Sequence, residues 1–155
     1  MDVALRFLSY RPRSEAEVRR RLIKDFPTSR VEETIVRLKD KGLLDDAAFA
    51  RFWRDNRERH RPRSKAIIRQ ELFQKGINRN VADEALEGLD EEASAIRAGR
   101  KLLRRLRGVD SESFRSKMGS HLGRRGFSYG VTVRATEALW QELSDPVDGN
   151  VDGNA

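Results

Sequence analysis

The feature that most limits how this chain can fold is an internal repeat with a period of about fifty residues. The tetrapeptide Arg-Pro-Arg-Ser occurs at residues 11–14 and again at residues 61–64. When the same offset is carried along the chain, apolar residues align in three copies. The aligned sets are Val18, Ile68 and Met118; Leu22, Leu72 and Leu122; Val31, Val81 and Val131; and Ile35, Ala85 and Ala135. We therefore expect three similar structural units in tandem.

The spacing of apolar residues predicts that each unit is helical. Within each copy they recur at intervals of three and four residues, and no alternating strand pattern is present. We predict an all-α fold of three tandem three-helix repeats that form an elongated, curved array. The repeats are expected to cover residues 1–44, 45–89 and 90–143. Residues 144–155 are rich in Asp, Gly and Asn without apolar periodicity, and we expect them to form a disordered acidic tail.

Helix ends in the first repeat carry recognisable capping signals. Ser14 with Glu17, and Ser29 with Glu32, have the spacing of a capping box, in which the serine satisfies a free backbone N–H at the helix start. Gly42 follows the third helical pattern and is suited to a left-handed stop. The spacing therefore predicts helices that begin at Ser14 and at Ser29.

Composition and motifs argue against catalysis and against a membrane protein. The chain has no cysteine and two histidines among its 155 residues, which excludes disulfides and cysteine-based metal sites. It contains no Gly-rich phosphate loop, no Gly-x-Ser-x-Gly elbow and no His-Glu-x-x-His motif. It also shows no signal-peptide pattern and no apolar run long enough to span a bilayer. We expect a cytoplasmic monomer without enzymatic activity, cofactor or bound metal.

The charge of the chain points to an acidic partner. Its 32 Lys and Arg residues against 25 Asp and Glu residues give a net charge of +7. By segment the net charge is +4, +2 and +4 in the three repeats and −3 in the tail. A basic body of this kind attracts polyanions, although each arginine taken singly also fits the solvated face of an amphipathic helix.

The two Arg-Pro-Arg-Ser segments supply the first candidate contact residues. Proline stops one helix and serine caps the next, which accounts for those two residue types but not for the arginines. In loops at matching positions of adjacent repeats, the arginines are expected to project from one edge toward a repeating acidic or phosphate-bearing partner. The full set of candidate contact residues is Arg11, Arg13, Arg20, Arg57, Arg61, Arg63, Arg69, Lys75, Arg104, Arg124 and Arg125.

Several segments resemble the RecX family, the regulatory proteins of the bacterial recombinase RecA. They are ALRFLSYRPRSEAEVRRRL from Ala4, GLLDDAAFARFW from Gly42 and IIRQELFQKGI from Ile67. The resemblance extends from about residue 4 to residue 143 and is weakest in the third repeat. It implies three tandem three-helix repeats that bind in the groove of the RecA–DNA filament. There, family members hinder filament growth, ATP hydrolysis, strand exchange and repressor cleavage.

These observations lead to one principal hypothesis and two alternatives. The principal one is a non-catalytic inhibitor or modulator of the RecA filament, with the candidate residues contacting the filament or DNA. The first alternative is a nonspecific basic DNA-binding module that affects recombination by competing for single- or double-stranded DNA. The second is a structural adaptor for some other acidic protein.

Overall fold

A computed structural model describes residues 1–145, and the regular secondary structure of these residues is helical. Short loops join the helices, and no strand occurs within the described range. None of the described helices is both long enough and apolar enough to cross a bilayer. Apart from Ser144 and Asp145, the predicted acidic tail lies outside the described residues.

The helices follow the predicted order of three per repeat. The first repeat contains α1 (Asp2–Tyr10), α2 (Glu15–Leu22) and α3 (Thr28–Asp40). The second contains α4 (Asp46–His60), α5 (Lys65–Gln74) and α6 (Arg79–Leu86). The third contains α7 (Glu91–Leu103), a 3-10 turn (Arg104–Leu106), α8 (Ser111–Arg124) and α9 (Tyr129–Ser144). The predicted all-helical fold of tandem three-helix repeats is therefore confirmed, with α9 ending one residue beyond the expected boundary.

Each repeat has a hydrophobic core of its own, and the residues aligned by the fifty-residue offset occupy it. The second helices contribute Val18, Ile68 and Met118, all fully buried, one turn before Leu22, Leu72 and Leu122. The third helices contribute Ile35, Ala85 and Ala135. A repeat in sequence thus corresponds to a repeat in packing, because apolar side chains at helical spacing need a facing helix to remove them from water.

One of the two predicted capping boxes is present. The Ser14 side chain accepts a hydrogen bond from the backbone N–H of Glu17, and the Glu17 carboxylate accepts one from the backbone N–H of Ser14. The predicted box at Ser29 is wrong, because α3 begins at Thr28 with Pro27 as its N-cap. Proline already fixes the entry conformation of the chain there, so Ser29 lies inside the first turn.

The described chain divides into two compact units that do not coincide with the repeats. The first unit contains residues 1–60 and 65–89, and so holds nearly all of repeats 1 and 2. Of the described residues, the second contains 61–64 together with 90–145. The second Arg-Pro-Arg-Ser segment therefore packs with repeat 3, although the fifty-residue period assigns it to repeat 2.

Within the first unit, the start of α2 packs against the end of α5. The Ser14 hydroxyl donates a hydrogen bond of 2.6 Å to the backbone carbonyl of Lys75. Beside it, Gly76 adopts a φ of 79° and lies so close to Ala16 that a side chain at Gly76 would collide with it. We call the contact formed by Ser14, Glu17, Lys75 and Gly76 the first junction. It joins repeats 1 and 2 through backbone and cap contacts.

Replacing Gly76 by alanine tests whether this close approach stabilises the first unit. Gly42 has a φ of 70° and open space around it, so Gly42→Ala is the matched control for backbone strain alone. We expect Gly42→Ala to cost about 1 kcal/mol of unfolding free energy. Gly76→Ala should cost about 1–3 kcal/mol more because the methyl group must displace Ala16. Urea unfolding measures both values, and equal costs would contradict a tight first junction.

Candidate functional site

Arg11 and Arg13, from the first Arg-Pro-Arg-Ser segment, both contact the carboxylate of Glu17. The Arg11 guanidinium lies 2.5 Å from Glu17 Oε2, and that of Arg13 lies 3.9 Å from it. Arg13 also donates from Nε to the Phe7 carbonyl at 3.3 Å and lies 4.0 Å from the centre of the Phe7 ring. Its side chain is 15% exposed, so the expectation that it projects into solvent is wrong. The attraction of a buried carboxylate and an aromatic face turns it inward.

Glu17 is the charged centre of the first junction. Burial on its own raises the pKa of this carboxyl. The hydrogen bonds from Arg11 and from the Ser14 backbone, together with the charges of Arg11 and Lys75, outweigh burial and bring the pKa below its ordinary value. The carboxylate is therefore ionised at neutral pH and neutralises part of the positive charge around it.

Arg57 and Lys75 flank the indole of Trp53 in the first unit. The two cationic groups lie 4.9 Å and 5.2 Å from the centre of the Trp53 ring system. Arg57 also pairs with Glu71 at 2.5 Å, and the Lys75 ammonium lies 3.9 Å from Glu17. Both candidate cations are thus held by contacts inside the protein.

The remaining candidates of the first unit, Arg69 and Arg20, differ in whether they form an ion pair. Arg69 pairs with Asp83 at 2.8 Å on the surface. Arg20 is exposed, and no carboxylate among residues 1–145 forms an ion pair with it. Arg20 is therefore the candidate of this unit whose charge is most available to a partner.

In the second unit the loop of residues 61–64 packs against the end of α8 in the same way. The backbone N–H of Ser64 donates a hydrogen bond of 3.3 Å to the carbonyl of Arg125. These two residues lie fifty positions after Ser14 and Lys75, so the contact, which we call the second junction, repeats the first. The Arg-Pro-Arg-Ser segment is therefore a packing element that is used twice.

The two junctions differ in charge. The positions equivalent to Glu17 of the first junction and to Glu71, which pairs with Arg57 beside it, are occupied by Ile67 and His121. Neither carboxylate is therefore present in the repeated pattern. Within the described part of the chain, neither Arg63 nor Arg125 forms an ion pair. Arg61, from the same loop, is exposed and has no ion pair there either. The second junction consequently carries an excess of positive charge.

His121 holds the guanidinium of Arg125 in place. The Nε2 atom of His121 lies 3.1 Å from the Ala98 carbonyl, which can only accept, so Nε2 carries the proton. Its Nδ1 atom then accepts from Arg125 Nη1 at 3.2 Å, and the same Nη1 donates to the His121 carbonyl at 3.0 Å. This arrangement requires a neutral imidazole.

The pKa values at the second junction reflect its crowding with cations. Burial lowers the pKa of His121, and the charges of Arg125, Arg124 and Arg63 lower it further, against a hydrogen bond to Ala98 that raises it. Burial likewise lowers the pKa of Arg125, with Arg63 and Arg124 adding to the effect. Among residues 1–145, no carboxylate contributes to either shift.

Beside the second junction, α7 and α8 enclose an open groove with a volume of about 630 Å³. No carboxylate is among its lining residues. They are Lys101, Leu102, Arg105, Leu106, Ser116, Lys117, Ser120, His121, Arg124 and Arg125, and we call this surface the basic groove. Of the candidate residues, it brings together Arg124 and Arg125, whereas Arg104 lies outside it and is exposed.

Eight of the ten groove residues are absent from the candidate set, and a helical pattern on α8 contains four of these eight. On α8 the residues Ser116, Ser120 and Arg124 follow one another at intervals of four, as do Lys117, His121 and Arg125. That interval places each row along one side of the helix. This four-residue spacing can be read from the sequence. The groove is lined by α7 as well, however, and the packing of α7 on α8 is a property of the folded chain.

Side chains that could bind a metal ion are not clustered in the described part of the chain. Residues 1–145 contain no group of three or more His, Asp or Glu side chains placed to hold a metal ion. The ionisable groups with shifted pKa values lie in ion pairs, in helix caps or beside the second junction. The fixed cations described above are suited to binding anions.

Comparison with known proteins gives a consistent result for the three repeats, from residue 1 to residue 135. Models of the first, second and third three-helix domains of RecX match residues 1–38, 45–86 and 90–135. The regulatory protein RecX of Prosthecochloris aestuarii is 37% identical over 137 residues, which are 88% of this chain and 89% of that protein. The regulatory protein RecX of Streptomyces coelicolor is 31% identical over 148 residues, which are 92% of this chain and 79% of that one.

Solved structures show the same likeness. The crystal structure of RecX from Lactobacillus salivarius matches with a TM-score of 0.74 at 26% identity and covers 92% of both chains. A further crystal structure of a regulatory protein RecX matches with a TM-score of 0.71 at 30% identity. That match covers 86% of this chain and 69% of the other. The likeness therefore extends to the fold and covers most of each protein.

The lowered pKa of Glu17 predicts an acid-sensitive first unit. Its contribution to stability is complete above the ordinary glutamate pKa of about 4.3 and is lost as the pH falls through the lowered pKa of the folded state. At neutral pH, Glu17→Gln should cost about 1–3 kcal/mol of unfolding free energy. Chemical unfolding at a series of pH values should show this difference shrinking below about pH 4.

Glu33→Gln is the matched control for this experiment, since Glu33 is exposed on α3 and forms no ion pair among the described residues. It should change neither the stability at neutral pH nor the shape of the acid dependence. If Glu17→Gln retained the acid dependence of the wild type, the role assigned to Glu17 would be wrong.

Proposed function

The chain belongs to the RecX family, and we propose that it acts as a non-catalytic modulator of the RecA recombinase filament in the cytoplasm. The relatives are regulatory proteins by name, and the proposal extends that role to binding in the groove of the RecA–DNA filament. Binding there would restrain ATP hydrolysis, strand exchange and the coprotease activity of the filament.

The tandem arrangement of the three repeats is the observation that carries this proposal. Domain models of the family match in order from residue 1 to residue 135, so a partner that repeats along an axis can meet a similar unit more than once. The proposal assigns one contact unit to each of residues 1–44, 45–89 and 90–143. Linked units bind such a partner more tightly than separate ones because each contact raises the effective concentration of the next.

The ion pairs inside the protein narrow the choice of contact residues. Arg11, Arg13, Arg57 and Lys75 stabilise the first unit, so reversing their charges would disturb the fold as well as any contact. Exposed candidates without an ion pair in the described range are better suited to an intermolecular role. We select one such residue from each repeat, namely Arg20, Arg61 and Arg124.

A triple charge reversal tests the proposal. We expect the wild-type protein, added below the concentration of recombinase to assembled filaments, to slow both ATP hydrolysis and strand exchange. The variant with Arg20→Glu, Arg61→Glu and Arg124→Glu should lose most of this inhibition, because three contacts are removed together. Its helicity should be unchanged, since all three side chains are exposed.

A second triple variant controls for net charge. Arg37, Arg59 and Arg107 are exposed, one in each repeat, and lie outside the candidate set. Their replacement by glutamate should leave inhibition close to that of the wild type. If the wild type left both rates unchanged at concentrations where it sediments with filaments, the proposed modulation would be wrong. Equal losses in the two variants would instead overturn the residue assignment.

The basic groove favours one other candidate function, a nonspecific DNA-binding module that limits recombination by covering DNA. Counterion release separates this candidate from filament binding. Contacts with about six phosphates predict a log–log salt slope of about −5 on duplex DNA. Inhibition that weakens with this slope and requires saturation of the DNA would favour the module, whereas inhibition at sparse coverage would favour filament modulation.

A further inference from the structure

We infer that the basic groove of the third repeat binds the phosphodiester backbone of a nucleic-acid strand directly. The inference deepens the proposed function and depends on it for the biological setting, because the filament presents DNA to the protein. The interaction itself requires only the groove, so it can be tested without recombinase.

The first support is the contrast between the two junctions. At the first junction Glu17 and Glu71 hold the nearby cations in ion pairs. At the second, the equivalent positions carry Ile67 and His121. The same packing element is thus balanced by carboxylates in one unit and lacks that balance in the other. A cluster of cations kept close together without counter-charges repels itself, and an external anion would relieve that repulsion.

The second support is that Arg125 is already fixed in position. Its Nη1 atom donates to both the carbonyl and the Nδ1 of His121. Its Nε and Nη2 atoms have no hydrogen-bond partner among the described residues. A guanidinium held on one side loses little conformational freedom when the other side binds a ligand. The geometry therefore favours recognition of a planar or tetrahedral oxyanion by the free donors of Arg125.

The third support is the order of donors along α8. Ser116, Ser120 and Arg124 form one row in the groove, at intervals of four residues, or about 6 Å along the helix axis. Lys117 lies beside this row, and the groove is also lined by Lys101 from α7 and by Arg105 from the 3-10 turn that follows. Serine hydroxyls together with lysine and arginine are the side chains that contact phosphates in nucleic-acid complexes. A run of such donors suits a ligand with repeated phosphates better than a single ion.

The composition of the groove favours a nucleic acid over an acidic protein. Interfaces with proteins contain an apolar centre, usually with aromatic residues. The apolar side chains of the groove are Leu102, which is half-buried, and Leu106, which is buried in the core of the repeat. Protein–nucleic acid interfaces are in contrast polar and strongly basic. The lining therefore provides contacts for phosphates and little for an apolar protein surface.

Fluorescence anisotropy with a labelled single-stranded thymidine oligonucleotide tests the site in the full chain without recombinase. The test variant combines Lys117→Glu and Arg124→Glu, two exposed residues of the groove. The control combines Arg37→Glu and Arg107→Glu, which change the net charge equally outside the groove. We expect each lost contact to weaken oligonucleotide binding by up to about tenfold. Its log–log salt slope should fall in magnitude by about 1.4.

His121 supplies an independent readout inside the groove. Burial and the charges of Arg125, Arg124 and Arg63 lower its pKa in the free protein. A bound phosphate chain would offset those charges, so titration of the imidazole by NMR should show the pKa of His121 rising when the oligonucleotide is added. His60 lies outside the groove, and its resonances provide the internal reference.

The outcomes separate this inference from the proposed function. Equal oligonucleotide binding by the groove variant and its control would overturn the groove assignment, whatever either variant does to filaments. If polyglutamate raised the pKa of His121 as much as the oligonucleotide does, recognition of nucleic acid would be overturned. If inorganic phosphate alone raised this pKa equally, recognition of a chain of phosphates would be overturned. A groove variant that loses oligonucleotide binding but still inhibits filaments supports the site and shows that filament contacts lie elsewhere.

Discussion

The structure depends on one recurring contact, in which the loop before a repeat's second helix docks against the end of the corresponding helix one repeat later. Ser14 with Lys75 forms this contact in the first unit, and Ser64 with Arg125 forms it in the second. The donor is the side-chain hydroxyl of Ser14 in the first contact and the backbone N–H of Ser64 in the second. Both donate to a backbone carbonyl at a helix end, where such groups have no partner inside the helix. The contact therefore satisfies a polar group that would otherwise need water, and it explains why Arg-Pro-Arg-Ser recurs at the same place in two repeats.

What varies between the two contacts is charge. Glu17 draws Arg11, Arg13 and Lys75 together, so the first junction is an internal ion-pair network. In the second unit His121 stands where the pattern has Glu71, and it orients Arg125 without neutralising it. A buried carboxylate thus converts basic residues into structural ones, and its replacement leaves a similar set available for a ligand. Basic residues of similar sequence context accordingly take different roles in different repeats.

Much of the fold could be predicted from the chain, because helical periodicity and capping are local properties. The cap at Ser14 was predictable because its partner Glu17 is three residues away. The cap predicted at Ser29 failed because Pro27 competes for the same turn, and Glu32 instead pairs with Arg19 at 2.7 Å. The candidate contact residues were less predictable. Arg13 and Arg63 occupy the same place in the Arg-Pro-Arg-Ser segment, yet Arg13 lies over Phe7 and near Glu17, whereas Arg63 has no ion pair among the described residues.

The sequence by itself determined the number of repeats, the helical class of each and the residues of each core, since these follow from apolar spacing along the chain. It also determined that positive charge is distributed over all three repeats. Only the tertiary structure decided which cations face carboxylates, how residues 61–64 come to pack with repeat 3, and where α7 and α8 enclose the basic groove. The reason is physical: ion pairing depends on distances of a few ångströms between residues far apart in the chain, and packing sets those distances.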